Sequence, residues 1–241
     1  MKFEDVKKLH QKKYREAFSF FLVEGEHLVL ELQKAALRDS RLRNSELYVT
    51  REREQWSSPF ATQVLGAGQM AQIAETEAPQ GIVARVPILP ATAPRQGERA
   101  VYLHEIQDPG NLGTILRTLA WFGDYRCLLS PGSVDPYNSK VIRASMGAMF
   151  HVPIEIDVAL HSLQQRFGRI ACLDTQGENV HAPSFRSFDC YMFGNEARGV
   201  PREQLAAVNA QSFAIGGCNA IESLNLAAAV NMCVYELNRP R

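Results

Sequence analysis

The sequence predicts an α/β protein: a C-terminal domain on a mainly parallel sheet, preceded by a smaller α/β domain. Three observations carry this reading. From about residue 98, apolar strand-like runs alternate regularly with helical runs, the pattern of an α/β domain. A proline-rich stretch, Pro87-Ile88-Leu89-Pro90-Ala91-Thr92-Ala93-Pro94, marks an extended connector. The chain has 241 residues, enough for one large domain or two modest ones. The expected domains are 1–88 and 98–241, joined by a linker at 89–97.

In the first domain, strand-like runs fall at Phe20 to Val23, Glu46 to Val49 and Gly81 to Val86. Helical patterns fall at His27 to Ala36 and Met70 to Ala74. In the second domain, strands are expected at 100–106, 125–130, 152–156, 169–174, 190–194 and 211–215. Helices are expected between and after them at 112–122, 138–147, 158–167, 201–208 and 222–237. Ligands of such domains bind beyond the carboxyl ends of the strands, so the loops there matter most.

Composition narrows the function. Apolar residues make up 46% and charged residues 22%, ordinary for a soluble globular protein. No run reaches the roughly 20 apolar residues of a membrane span. The polar N-terminus, MKFEDVKKLH, lacks the apolar stretch of a signal peptide. A cytoplasmic protein without membrane partners is expected. The five cysteines are scattered with no CxxC pair, which disfavours zinc and thiol-redox motifs. The net charge is +0. However, residues 1–53 hold 12 Lys and Arg against 9 Asp and Glu. The densest basic run is Lys7, Lys8, His10, Lys12, Lys13 and Arg15, read either as a solvated helix face or as a phosphate-tracking patch.

Three loops concentrate polar and glycine residues. After the first strand of the second domain comes Gln107-Asp108-Pro109-Gly110-Asn111, with Asn111 a suitable N-cap for the next helix. On a helical wheel Leu112, Ile115, Leu116, Leu119 and Phe122 share one face. Arg117 lies off that face, toward Gly113 and Trp121, and projects from the helix edge. After the fifth strand comes Gly194-Asn195-Glu196-Ala197-Arg198-Gly199-Val200, whose glycines permit tight turns and close backbone approach. After the sixth comes Ile215-Gly216-Gly217, then Glu222-Ser223-Leu224-Asn225 at the start of an Ala- and Leu-rich helix, where free backbone N–H groups gather. Each loop alone also reads as ordinary turn and cap chemistry. No G-x-G-x-x-G follows the first strand, so a dinucleotide oxidoreductase is disfavoured, and neither a P-loop nor a G-x-S-x-G elbow occurs.

Together and in this order, the three loops resemble the motifs of the SpoU (TrmH-type) RNA 2′-O-ribose methyltransferases of the SPOUT superfamily. The first is Asn111-x-Gly113-x-x-x-Arg117-Thr118, the second Gly194 to Val200, the third Glu222-Ser223-Leu224-Asn225. Val141 to Ala148 resembles the family's stretch between the first two. Phe21 to Glu26 and Thr76 to Ala84 look like the small RNA-binding domain that precedes the catalytic domain in many members.

The resemblance implies a SPOUT-type α/β knot, a parallel sheet whose C-terminal part threads a deep trefoil knot. It implies S-adenosylmethionine as cofactor, with contacts from Gly194, Ile215 and Leu224 and with Asn195 and Gly199 in the same pocket loops. It implies a homodimer with the active site at the subunit interface. Arg117, Asn111, Glu196, Ser223 and Asn225 are the implied catalytic set, and no metal is needed. Arg117 would bind the adjacent phosphate and stabilise the forming oxyanion, Asn111, Ser223 and Asn225 would orient ribose and arginine, and Glu196 would fix its loop or position the substrate. Ribosomal RNA is the expected substrate, with transfer RNA second and a non-catalytic RNA-binding dimer the reading from another class. Many members carry Ile-Pro-Met where this chain has Ile215-Gly216-Gly217, a looser loop with more entropy to lose.

Overall fold

The computed structural model describes residues 1–76, 78–218 and 220–240. In chain order the elements are α1 (Phe3–Val6), α2 (Lys12–Phe18), β1 (Phe20–Glu24), α3 (Glu26–Arg38), β2 (Glu46–Thr50), β3 (Ala61–Leu65), α4 (Ala67–Ile73), β4 (Ile82–Pro87), β5 (Arg99–Leu103), α5 (Pro109–Phe122), β6 (Tyr125–Leu129), α6 (Ser139–Ser145), β7 (Ile154–Glu155), α7 (Leu163–Arg166), β8 (Ile170–Asn179), β9 (Cys190–Phe193), α8 (Arg202–Ala207), β10 (Gln211–Ala214) and α9 (Leu226–Asn238). They form two compact units. The first comprises Met1–Pro90 with Asp135–His151, the second Ala91–Val134 with Val152–Arg241. The chain thus leaves the second unit after β6, contributes α6 to the first, and returns before β7.

The first unit holds a four-stranded sheet in the order β1-β4-β2-β3. β4 runs antiparallel to both β1 and β2, and β3 pairs with β2 in parallel. Val6, Tyr48, Leu65, Met70, Ile73 and Val83 form a core beneath it. β3 was not foreseen: it is an edge strand with only Leu65 buried, so its sequence, ATQVL, carries no alternating signal.

The basic run near the N-terminus does not act as one patch. Arg15 points inward and is only 6% exposed. Its guanidinium donates to the Asp135 carboxylate at 2.5 Å and to the carbonyls of Leu9 and His10 at 2.9 and 2.8 Å. A buried arginine needs such partners, so this residue fastens α2 to the Asp135–His151 segment. His10 bonds to the Glu75 carboxylate at 3.0 Å, which in turn accepts from Ser139. The phosphate-tracking reading is therefore withdrawn for Arg15 and His10.

The second unit is a six-stranded, wholly parallel sheet in the order β10-β8-β9-β5-β6-β7. One face packs Ala100, Tyr102, Leu128, Cys172 and Met192 against Leu163, Leu205 and Val208. α5 and α9 pack on one another; Leu112, Ile115, Leu116 and Leu119 are buried on the first and Val230, Cys233, Val234 and Leu237 on the second. Four cysteines are buried and unpaired, and burial pushes the thiols of Cys127, Cys172 and Cys233 up to about 12, which leaves them inert. No helix among the described residues is long and apolar enough to cross a membrane.

The strand order fixes the position of the site. β5 and β9 are neighbours, yet the chain leaves β5 toward β6 and leaves β9 toward β10, in opposite directions. Such a switch point opens a crevice at the carboxyl ends of the two strands.

Candidate active site

Asp108, not Asn111, caps α5. The helix starts at Pro109, and the Asp108 carboxylate accepts from the Asn111 N–H at 2.7 Å. Aspartate at the cap with proline in the first turn is a favoured start. Asn111 is therefore the third residue of the helix, and its side chain is free to bond elsewhere. The amide Nδ2 donates to Glu196 Oε1 at 3.2 Å, and its Oδ1 accepts from Asn225 Nδ2 at 3.0 Å. Asn225 caps α9, its Oδ1 accepting from the Ala228 N–H at 3.1 Å. A chain of hydrogen bonds, Asn225 to Asn111 to Glu196, thus joins the three loops across the switch point.

Glu196 also receives the backbone N–H groups of Gln107 and Asp108, both at a long 3.4 Å. A carboxylate there accepts from the start of α5, where N–H groups lack helical partners. Its loop is tightly closed. Asn195 and Gly199 exchange two backbone bonds, at 3.1 and 2.9 Å. Asn195 is 8% exposed, and its side chain donates to the Glu105 carbonyl at 2.8 Å and accepts from the N–H groups of Ala197 and Arg198. Gly194 has no room for a side chain, because a Cβ would lie 2.4 Å from the Gly199 carbonyl carbon. Gly199 adopts a φ of +65°, which favours glycine.

The remaining predicted residues make no side-chain hydrogen bond to this cluster. Ser223 and Leu224 are exposed and Ile215 is half-buried. Leu224 and Ile221 are 42% and 71% exposed, so this loop offers apolar surface. Arg117 is exposed and makes no hydrogen bond or ion pair among the described residues. It stands about 120° around α5 from Asn111 and about 9 Å along it, from the geometry of a helix, so it does not face the same crevice.

Several participants were not singled out from the sequence. Glu105 holds a left-handed φ of 49° at the end of β5 and pairs with Arg198 at 2.7 Å. The pairing of β8 with β10 skips Leu173 to Gly177: Ser212 pairs with Cys172 but the next residue, Phe213, pairs with Glu178. Gly177 marks the return, since a Cβ there would meet the Ser212 carbonyl at 2.5 Å. The Asp-Pro start of α5 and Gly177 were the available signals; Glu105 had none. Among the described residues no cluster of His, Cys, Asp or Glu could hold a metal.

The pattern of the SpoU rRNA methylase family matches residues 98–235. The chain belongs to that family. Residues 2–84 match a second pattern, the MRM3-like substrate binding domain. Among curated SpoU-type relatives, the 23S rRNA (guanosine(2553)-2′-O)-methyltransferase RlmP of Bacillus subtilis is 30% identical, over 98% of this chain and 95% of that one. An AdoMet-bound rRNA methyltransferase structure from Sinorhizobium meliloti is 26% identical, covers 98% of this chain and 93% of its own, and has a TM-score of 0.81. The SpoU methyltransferase AviRb of Streptomyces viridochromogenes, in complex with AdoMet, has the same fold at 20% identity, with a TM-score of 0.82 over 98% of this chain and 96% of that one. The segments that the Asn225–Asn111–Glu196 bonds join all lie within the matched residues 98–235.

Proposed function

We propose that this chain transfers the methyl group of S-adenosylmethionine to a ribose 2′-oxygen of ribosomal RNA, as a cytoplasmic homodimer in which Arg117 of one protomer serves the cofactor site of the other. The observation that carries the reading is the bonded chain from Asn225 through Asn111 to Glu196. It couples the loop after β5 to the loops implied to hold the cofactor. The RNA class rests on the ribosomal substrate named for the Bacillus relative.

The residues present fit S-adenosylmethionine. Gly199 is exposed with open space where a side chain would stand, and Gly194 lets the loop close on its own backbone. Ile215 and Leu224 supply apolar contact, and Asn195 holds the loop shut. When bound, the sulfonium supplies an electrophilic methyl group and a good leaving group. The protein's part is largely positioning. Asn111, Ser223 and Asn225 orient the ribose, and Glu196 fixes the first loop. Arg117 keeps its proton in proteins; it binds the neighbouring phosphate and stabilises the charge that develops on the 2′-oxygen.

Two features support the dimer. Arg117 turns away from Asn111, and beside it one turn on is Trp121, 85% exposed. On α9, Met232 and Tyr235 are 48% and 59% exposed. Large apolar side chains on two packed helices mark an interaction face, and a second copy would bring its cofactor loops to Arg117. The return of the chain from edge strand β10 to α9 against α5 supports assigning residues 215–238 to the family's trefoil knot.

Subunit complementation tests the arrangement. Arg117→Ala and Gly194→Ala homodimers should both be inactive. Mixed dimers of the two should regain transfer at one of their two sites. Mixed dimers without activity, from homodimers that associate normally, would exclude action across the interface.

A further inference from the structure

Once Arg15 and His10 are accounted for, the N-terminal basic run leaves an arrangement built around one ring. Tyr14 stacks on Phe18 with ring centroids 5.9 Å apart and planes 21° from parallel. The Lys13 ammonium lies 4.7 Å from the Tyr14 ring centre and the Lys8 ammonium 5.7 Å. Lys13 is exposed, and the Lys8 side chain is 44% exposed, held by a surface pair with Asp5 at 2.8 Å. Tyr14 itself is half-buried, so its ring is anchored rather than free. Lys7 and Lys12 pair with Glu4 and Glu16 on their own helical turns and take no part.

A lysine over a surface ring of this kind gains less than a nucleobase stacked on that ring. An incoming base would therefore displace the ammonium, which is then free for the phosphate beside that base. We infer that Tyr14, with Lys8 and Lys13, is a stacking site for an unpaired nucleotide of the RNA substrate: the base lies on Tyr14 and the lysines take the flanking phosphates. Single-stranded RNA is recognised in this way, by aromatic stacking within a basic surface. The inference rests on the RNA methyltransferase reading and adds to it the residues that hold one nucleotide and a preference for unpaired substrate.

The test uses the full chain and two probes, a short fluorescein-labelled oligoadenylate and heparin, a polyanion without bases. Tyr14→Ala should weaken oligoadenylate binding by roughly 5- to 150-fold, the range for loss of one stacked base, and leave heparin binding unchanged. Tyr14→Phe keeps the ring and should bind within about twofold of the parent. Lys13→Ala should weaken both probes and reduce the oligoadenylate salt slope by about 0.7, one phosphate contact on a single strand. Oligoadenylate affinity unmoved by Tyr14→Ala, or an equal loss on both probes, would overturn the stacking site. S-adenosylmethionine titration of the parent chain separates the two ideas. Failure to bind cofactor would sink the methyltransferase reading, whereas loss of stacking alone would leave it standing.

Discussion

Gly194→Ala should cripple cofactor binding without unfolding the protein. The added Cβ would sit 2.4 Å from the Gly199 carbonyl carbon, 2.6 Å from its Cα and 2.7 Å from the Val200 nitrogen. Carbon atoms in contact prefer about 3.5–4.0 Å, so the opposing strand of the loop must retreat by more than about 1 Å. All three atoms are backbone, and no side-chain rotation relieves the clash. Retreat stretches the two bonds between Asn195 and Gly199, which are 3.1 and 2.9 Å long. Overpacking of this kind costs about 1–3 kcal/mol. If cofactor requires the closed loop, affinity falls by roughly 5- to 150-fold, at 1.4 kcal/mol per factor of ten. Gly68→Ala, on α4 of the first unit, is the control, since a Cβ there meets nothing within 4 Å. Isothermal titration with S-adenosylmethionine reads both variants, and circular dichroism verifies the fold. A Gly194→Ala protein that binds within about twofold of the parent would refute the role given to this loop.

Three further predictions follow from other parts of the structure. Asn225→Ala removes the α9 cap, worth about 0.5–2 kcal/mol, together with the donor to Asn111; Asn225→Asp keeps the cap acceptor but loses that donor, so methyl transfer should fall in both while the melting temperature falls mainly in the first. Arg15→Ala strands the Asp135 carboxylate, which is 13% exposed, and should destabilise the first unit by about 3–5 kcal/mol in denaturant melts; a loss below about 1 kcal/mol would show that the pair is dispensable. The His10–Glu75 pair should make stability depend on pH. Glu75 holds the His10 proton and raises its pKa above the ordinary 6.5, so that contribution is complete below 6.5 and is lost as pH climbs through the raised value. His10 and Ser139 bond to Glu75 and hold it at about 2 rather than 4.5, so its contribution is present above 4.5 and is lost as pH falls toward 2. The pair therefore contributes most between about 4.5 and 6.5, and His10→Gln should flatten the alkaline limb of the melting profile.

The second domain was legible because its central strands β5, β6 and β9 are buried on both faces and read as mainly apolar runs. β5, β6, β9 and β10 each end within three residues of the expected position. The apolar face of α5 was equally plain, since Leu112, Ile115, Leu116 and Leu119 are all buried. Contacts between distant segments were not legible. Arg15 resembles its lysine neighbours in sequence, and its partner lies 120 residues away. The skip at Leu173–Gly177 depends on pairing with β10, which periodicity cannot register. In the site, the motifs located the loops, but a one-turn error at the α5 start hid what Asn111 does. Its spacing suited a cap, while Asp108-Pro109 suited one better.

The most direct test of the central claim is the chemical nature of the product. Purified protein is incubated with radiolabelled S-adenosylmethionine and ribosomal RNA from cells lacking the gene, and the RNA is hydrolysed in alkali. A methylated 2′-oxygen cannot attack the adjoining phosphate. The label should therefore appear in a single alkali-resistant dinucleotide and disappear with Arg117→Ala. Label released as a mononucleotide, which would mean methylation of a base, or no incorporation by a protein that binds the cofactor, would contradict the account.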